Sequence, residues 1–184
     1  MNTGLIADRY ATALLEFANS SDNQDRVYQE AKVVAQSFST FNELKKLFDN
    51  PMLAKAEKRK FIGLSAGGNV SQPFDRFTDL ILENKREEYL LSIMLKYVDL
   101  YRKQKNIHVG KLITAAPLEP TTEKRLITLM ENETGGTVEI EKIVDPALLG
   151  GFLFEVGFVR WDASISGQLQ HIKNEYISKN KKIL

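Results

Sequence analysis

Two periods of apolar residues divide this chain. Up to about residue 105 the apolar positions recur every three or four residues, the mark of amphipathic helices. Ile6, Tyr10, Ala13, Leu14 and Phe17 predict a helix over 5–19. A second follows over 22–39, with Asp22 placed as its N-cap and Val27, Ala31, Val34 and Phe38 on one face. A short helix over 41–48 stops at Asn50-Pro51, because the residue before a proline avoids the α region. Residues 54–64 are rich in Ala, Lys and Glu and read as helix, and Gly67-Gly68-Asn69 breaks the chain. Phe74, Phe77, Leu80 and Ile81 mark a helix over 72–84, and Leu90, Ile93, Met94, Tyr97 and Tyr101 a long one over 86–105. Six helices with short connections predict an all-α bundle.

Near residue 106 the period changes. Ile107, Val109, Ile113 and Ala115 alternate with more polar neighbours, the spacing of a half-buried strand. Residues 121–133 return to helix and stop at Gly135-Gly136. Val138 and Ile140 mark a second strand, and Phe152, Phe154 and Val156 a third. Gly157 permits a turn towards Val159 and Trp161, and Ser164 is placed to cap a last helix striped by Ile165, Leu169, Ile172 and Tyr176. The expected fold is mainly α: a six-helix bundle over 1–105 followed by a small α+β domain over 106–184.

Composition narrows the function classes. With 184 residues, 43% hydrophobic and 27% charged, the chain can build one domain or two small ones. Its 25 basic and 24 acidic residues leave a formal charge of +1, against the basic excess of a dedicated nucleic-acid binder. The absence of cysteine removes disulfides, thiol catalysis and thiolate metal sites, and fits an intracellular setting. No run approaches the roughly 20 apolar residues of a membrane span. The start, Met1 to Leu5, lacks the character of a signal peptide.

Candidate chemistry is sparse. His108 and His171 are the only histidines and lie far apart in the sequence, so neither reads as a general base or a metal ligand. Gly150-Gly151 lacks the spacing of a phosphate loop and leads into a strand; it reads as a close backbone approach between Pro146 and that strand. Lys55, Lys58, Arg59 and Lys60 read as a solvated helix face, and Lys179, Lys181 and Lys182 as a basic tail. Neither a cofactor nor a catalytic residue is expected.

The first helix is more telling. Its polar residues, Asp8, Thr12, Glu16 and Asn19 with Arg9 alongside, form a narrow stripe. The rest is apolar or small, a wider arc than the roughly 100° needed to pack on one bundle face. Ala7, Ala11 and Ala18 lie along one side and permit close helix approach. The helix through Phe74, Phe77, Leu80, Ile81 and Leu82 is similarly broad. Two readings follow: two central helices buried on several sides, or a groove between them that accepts an amphipathic helix from another protein.

Ile6-Ala7-Asp8-Arg9-Tyr10-Ala11-Thr12-Ala13-Leu14, Leu82-Glu83-Asn84-Lys85-Arg86, Ala115-Ala116-Pro117-Leu118, and Asp145-Pro146 through Gly150-Gly151 with Gly157, Asp162, Ser164 and Leu169 occur in one order along nearly the whole chain. Together they resemble the delta-subunit family of rotary (F-type) ATP synthases, the bacterial counterpart of the mitochondrial oligomycin-sensitivity-conferring protein. The usual glycine-aspartate pair is Gly157-Phe158 here, which removes an acidic residue from that turn.

The resemblance implies a non-catalytic stator subunit that links the alpha/beta head to the b subunits and resists rotor torque. It places the N-terminal domain on the head, with its first and fifth helices gripping the N-terminal helix of an alpha subunit. Ala7, Tyr10, Ala13 and Leu80 are the groove residues it points to. It places the C-terminal domain on the b subunits, with Ile165, Leu169, Ile172 and Tyr176 as the contact stripe. It implies a peripheral position on the cytoplasmic face of the membrane, with membrane association only through the complex.

Two other classes remain in view from the residues. The helices and the basic cluster at 55–60 permit a nucleic-acid-binding module of the transcription antitermination type, against which the balanced charge and the α+β half both count. An enzyme would need a site that the histidines and glycines do not supply.

Overall fold

The computed structural model describes residues 3–157 and 159–181, with Thr3 and residues 175–181 described by backbone alone. The chain is mainly helical with one small sheet near its C-terminus, and it divides into two compact units, Met1–Gln104 and Lys105–Leu184. In the first unit the helices are α1 (Thr3–Ser20), α2 (Gln24–Thr40), α3 (Glu43–Asp49), α4 (Lys55–Ser65), α5 (Gln72–Glu83) and α6 (Leu90–Gln104). In the second unit β1 (Ile107–Thr114), α7 (Pro120–Thr134), β2 (Thr137–Val144), β3 (Phe152–Val156), β4 (Val159–Asp162) and α8 (Ile165–Lys181) follow.

The core of the first unit gathers around α6, whose Leu90, Ile93, Met94 and Tyr97 are wholly buried. Ala7, Ala11, Leu14 and Ala18 form the buried row of α1. Three of these four are alanines, which lets the helix backbone lie close to its neighbours. α2 is locked to α6 by tyrosines. Tyr28 stacks on Tyr101 at 4.2 Å, the Tyr101 hydroxyl donates to Asp25 at 2.7 Å, and the Tyr97 hydroxyl donates to the Gln24 carbonyl at 3.2 Å. Burial pushes the Tyr97 hydroxyl well above the ordinary phenol range, so it stays protonated and a donor.

α5 begins at a built cap. The Ser71 side chain accepts from the Phe74 amide, and Pro73 sits in the first turn, where a missing N–H costs nothing. The buried carboxylate of Glu30, on α2, accepts from both the Ser71 amide and the Ser71 hydroxyl, the latter at 2.7 Å. Arg26 approaches the same carboxylate at 3.4 Å.

Several sequence expectations change. Asp22 does not cap α2: its φ is +53°, Asn23 occupies the cap position, and no side-chain cap bond forms. The long helix expected over 86–105 starts only at Leu90, because Lys85 turns left-handed with φ of +53° and Glu87–Tyr89 form a 3-10 turn. Lys58 is no solvated surface residue. It is buried, donating to the Phe48 carbonyl at 3.0 Å and to Glu87 at 2.6 Å. Arg59 is exposed but forked across Asp75 and Asp79, at 2.7 and 2.8 Å. That fork holds the Asp79 carboxyl below its usual range.

The second unit is a four-stranded sheet of order β2-β1-β3-β4. β1 and β2 are parallel, with α7 as their crossover, and the β1–β3 and β3–β4 pairs are antiparallel. Its core is Leu112, Leu126, Met130, Val138, Phe154 and Val156, with Trp161 stacked on Phe154 at 5.6 Å. The buried face of β1 is the opposite of the one that Ile107, Val109 and Ile113 suggested: Gly110, Leu112 and Thr114 point inward and Val109 is exposed. Gly110 hides this phase from a hydrophobicity count. A Cβ there would lie 2.6 Å from the Phe154 ring, so the core needs a glycine where the pattern shows no side chain. Gly135 takes the left-handed cap of α7, with φ of +67°.

The close approach at Gly150-Gly151 is not with Pro146. Gly151 has φ of +79°, and a Cβ on it would strike the Ala163 carbonyl oxygen and lie 2.9 Å from the Ser164 Cα. The glycine pair thus lets the loop pass over the start of α8. There Ser164 Oγ accepts from the Gly167 amide at 3.0 Å, as expected of a cap, and Ser164 in turn donates to Asp162 through its hydroxyl and its amide. Those two bonds hold the Asp162 carboxyl below the usual aspartate range. Their support for the fold is present above the ordinary aspartate pKa and is lost as pH falls below it.

Lys58→Ala will destabilise the fold by about 3 kcal/mol, because it strands the Glu87 carboxylate without its partner. Urea unfolding of this variant beside Lys58→Met/Glu87→Leu checks the cause, since the apolar pair should recover most of the loss. Gly151→Ala will cost about 3 kcal/mol through strain and overlap together. A midpoint unchanged from the parent chain would rule out the close approach described for this loop.

Candidate groove for a partner helix

α1 and α5 run antiparallel and leave a hollow between them. Its wider part, about 480 Å³, is lined by Leu5, Ile6, Tyr10, Ala13 and Leu80, with Arg9 and Arg86 at its edge. A narrower continuation of about 150 Å³ shares Tyr10, Ala13 and Leu80 and extends to Phe17, Phe77 and Arg76. The two parts form one apolar trough along α1 from Leu5 to Phe17.

The trough exists because both helices carry more apolar surface than the core takes up. α1 buries its alanine-rich row, and the second row, Ile6, Tyr10, Ala13 and Phe17, remains on the adjoining side. α5 buries Phe74, Phe77, Thr78, Ile81 and Leu82, and Leu80 falls outside that stripe at 45% exposure. The floor is braced from beneath: Tyr10 meets Phe77 edge to face at 6.5 Å, and Phe77 packs beside Phe74 at 6.4 Å. At the rim, Arg86 lies over the Tyr10 ring at 5.9 Å and Arg76 over the Phe17 ring at 5.7 Å. Lys96 holds Asp8 at 3.0 Å, and Asp8 is not among the residues that line the trough.

Of the residues singled out from sequence, Tyr10, Ala13 and Leu80 line this trough together. Ala7 does not; it is 5% exposed, in the row that packs inward, where its small size brings helices together. The arginines and Phe17 were not selected from sequence. Arg86 lies beyond the end of α5, and only the left-handed turn at Lys85 folds it back over Tyr10.

In the second unit, Ile165, Leu169 and Ile172 occupy one side of α8 and are 47%, 58% and 61% exposed. They form an apolar stripe without cover among the described residues. The Tyr176 side chain, Phe158 and the basic tail residues Lys179, Lys181 and Lys182 lie outside the described side chains.

Among the described residues no cluster of three or more His, Asp or Glu side chains could hold a metal ion. No helix of the described residues is long and apolar enough to cross a membrane. His108 lies in β1 and His171 on the exposed side of α8. A second hollow of about 530 Å³, beside Phe48, Leu53 and Leu82, is lined by mixed charges including the Lys58–Glu87 pair, whose members already hold each other.

The model of the family described as ATP synthase delta (OSCP) subunit matches residues 6–175. A relative named ATP synthase subunit delta from Phocaeicola vulgatus is 44% identical, with all of both chains covered. The one from Paramagnetospirillum magneticum is 32% identical over 92% of this chain and 93% of its own. The chloroplastic delta subunit of Ochrosphaera neapolitana is 31% identical over 95% of this chain and 98% of its own. A chain in the structure of the Toxoplasma gondii mitochondrial ATP synthase hexamer shares the fold, with a TM-score of 0.62 at 19% identity, covering 96% of this chain and 98% of that one. None of these relatives favours the nucleic-acid-binding alternative. The chain belongs to the ATP synthase delta (OSCP) subunit family.

Proposed function

We propose that this chain clamps the catalytic head of an ATP synthase to its peripheral stalk through two separate apolar surfaces, one on each unit. The chain is a non-catalytic component of the peripheral stalk of a membrane-associated ATP synthase. The proposal concerns how it holds on. The six helices of the first unit act as one bundle over roughly residues 1–105, and the trough between α1 and α5 receives the N-terminal helix of an alpha subunit. The second unit, roughly 106–184, receives the b subunits along the Ile165, Leu169 and Ile172 stripe, with Tyr176 continuing it. The complex carries the chain at the cytoplasmic face of the membrane.

The observation that carries this reading is the trough itself. It is an open apolar channel about three helical turns long, from Leu5 to Phe17, at the 1.5 Å rise of an α-helix. That is the shape and length of an amphipathic helix laid in a groove. Rotation of the central shaft exerts torque on the head, and a head free to turn with the shaft would make no ATP. Resisting torque calls for slow dissociation, which buried apolar anchors provide. No proton has to move and no bond has to break at this surface.

Titration of the full chain with a peptide of the alpha N-terminus from the same organism will show one-to-one binding. Leu80→Asp will weaken it by about 2–3 kcal/mol, since it replaces an apolar contact of the occupied groove with a charge that must be desolvated there. Leu80 is half-exposed in the free chain, so this variant should keep its fold, whereas Tyr10→Asp removes a ring packed on Phe77 and needs a melting control. Equal affinity for parent and Leu80→Asp would take the trough out of the interface. On the other unit, Leu169→Asp should lower affinity for the soluble part of the b dimer by a similar amount while leaving the alpha peptide unaffected. Loss of both activities at once would argue against two separate surfaces.

A further inference from the structure

We infer that the trough between α1 and α5 selects its occupant by charge: it fits an amphipathic helix with carboxylates flanking its apolar stripe, near both ends. The inference rests on the trough being the partner-helix site. Its basis is the state of the charged groups around that trough. The charged residues lining both parts are Arg9, Arg86 and Arg76, and no carboxylate lines either part.

Three of the arginines outside the trough are matched by carboxylates. Arg26 meets Glu30, Arg59 is forked between Asp75 and Asp79, and Arg160 meets Glu155. Arg9, Arg76 and Arg86 have no such carboxylate among the described residues. Two of them lie over rings of the trough, Arg76 over Phe17 and Arg86 over Tyr10. The guanidinium is a planar fork of N–H donors that matches a carboxylate in two-pronged fashion. Arg9 and Arg86 stand at the Leu5 end and Arg76 at the Phe17 end, so the charges bracket the trough along its length. An occupying helix with lysines in those flanking positions would bring like charges together while burying its apolar stripe, which disfavours it.

The test uses the full chain and three synthetic helical peptides that share one Leu/Ile/Ala stripe of three turns and differ only in carrying Glu, Gln or Lys at the flanking positions. The Glu peptide should bind about tenfold tighter than the Gln peptide at low salt, with the Lys peptide weakest, and the preference should shrink as salt is raised. The triple variant Arg9→Gln/Arg76→Gln/Arg86→Gln should bring the ratio of Glu-peptide to Gln-peptide affinity close to one, whatever the change in overall affinity. The matching triple change to Lys should keep part of the preference, which separates loss of charge from loss of packing. Equal binding of the Glu and Gln peptides, both lost in Leu80→Asp, would overturn charge selection and leave the trough as the site. Binding of none of the three by a folded chain would overturn the trough reading and this inference with it.

Discussion

A buried carboxylate governs the geometry of the first unit. Glu30 sits inside the helical packing, where an unmatched charge is very costly. Its oxygens are met by the amide and hydroxyl of Ser71, with Arg26 alongside. Ser71 is also the cap of α5. One interaction therefore ties α2 to the cap of α5 and sets both the starting point and the rotational phase of that helix. With the phase set, Phe74, Phe77 and Ile81 turn inward and Leu80 turns out. A shift of one residue at the cap would rotate α5 by about 100° and carry Leu80 away from the trough.

On α1 the same division of labour is achieved by size. Alanines at 7, 11 and 18 let the helix sit close to the core, and the larger residues at 6, 10 and 17 are left for the neighbouring side. The surplus apolar surface is what the proposed docking of a partner helix would use. The C-terminal unit separates these tasks differently: its core lies between α7 and one face of the sheet, and the apolar stripe of α8 takes no part in it.

Much of this was legible in the sequence. Long stretches with a clear period marked the helices, and Ser164 and Gly135 marked the caps. The breadth of apolar surface on two helices left two readings open, a pair buried on several sides or a groove between them. What escaped depends on three-dimensional proximity. Ala7 and Ala13 are chemically the same residue and differ only in which neighbour they face. The inward phase of β1 is set by Gly110, a position with no hydrophobicity to count. Lys58 looked solvated among its basic neighbours because its partner, Glu87, is supplied by the 3-10 turn ahead of α6. Arg86 became part of the trough only through a left-handed residue, which local sequence does not announce.

The stacking of Trp161 on Phe154 gives the chain an optical property. Trp161 is the sole tryptophan in 184 residues, and it lies in the second unit. The first unit carries only tyrosines as its phenolic or indole chromophores, with Tyr28, Tyr97 and Tyr101 in its core. Selectively excited indole emission is thus a gauge of the second unit alone, blind to the one that carries the trough, and it needs no attached label.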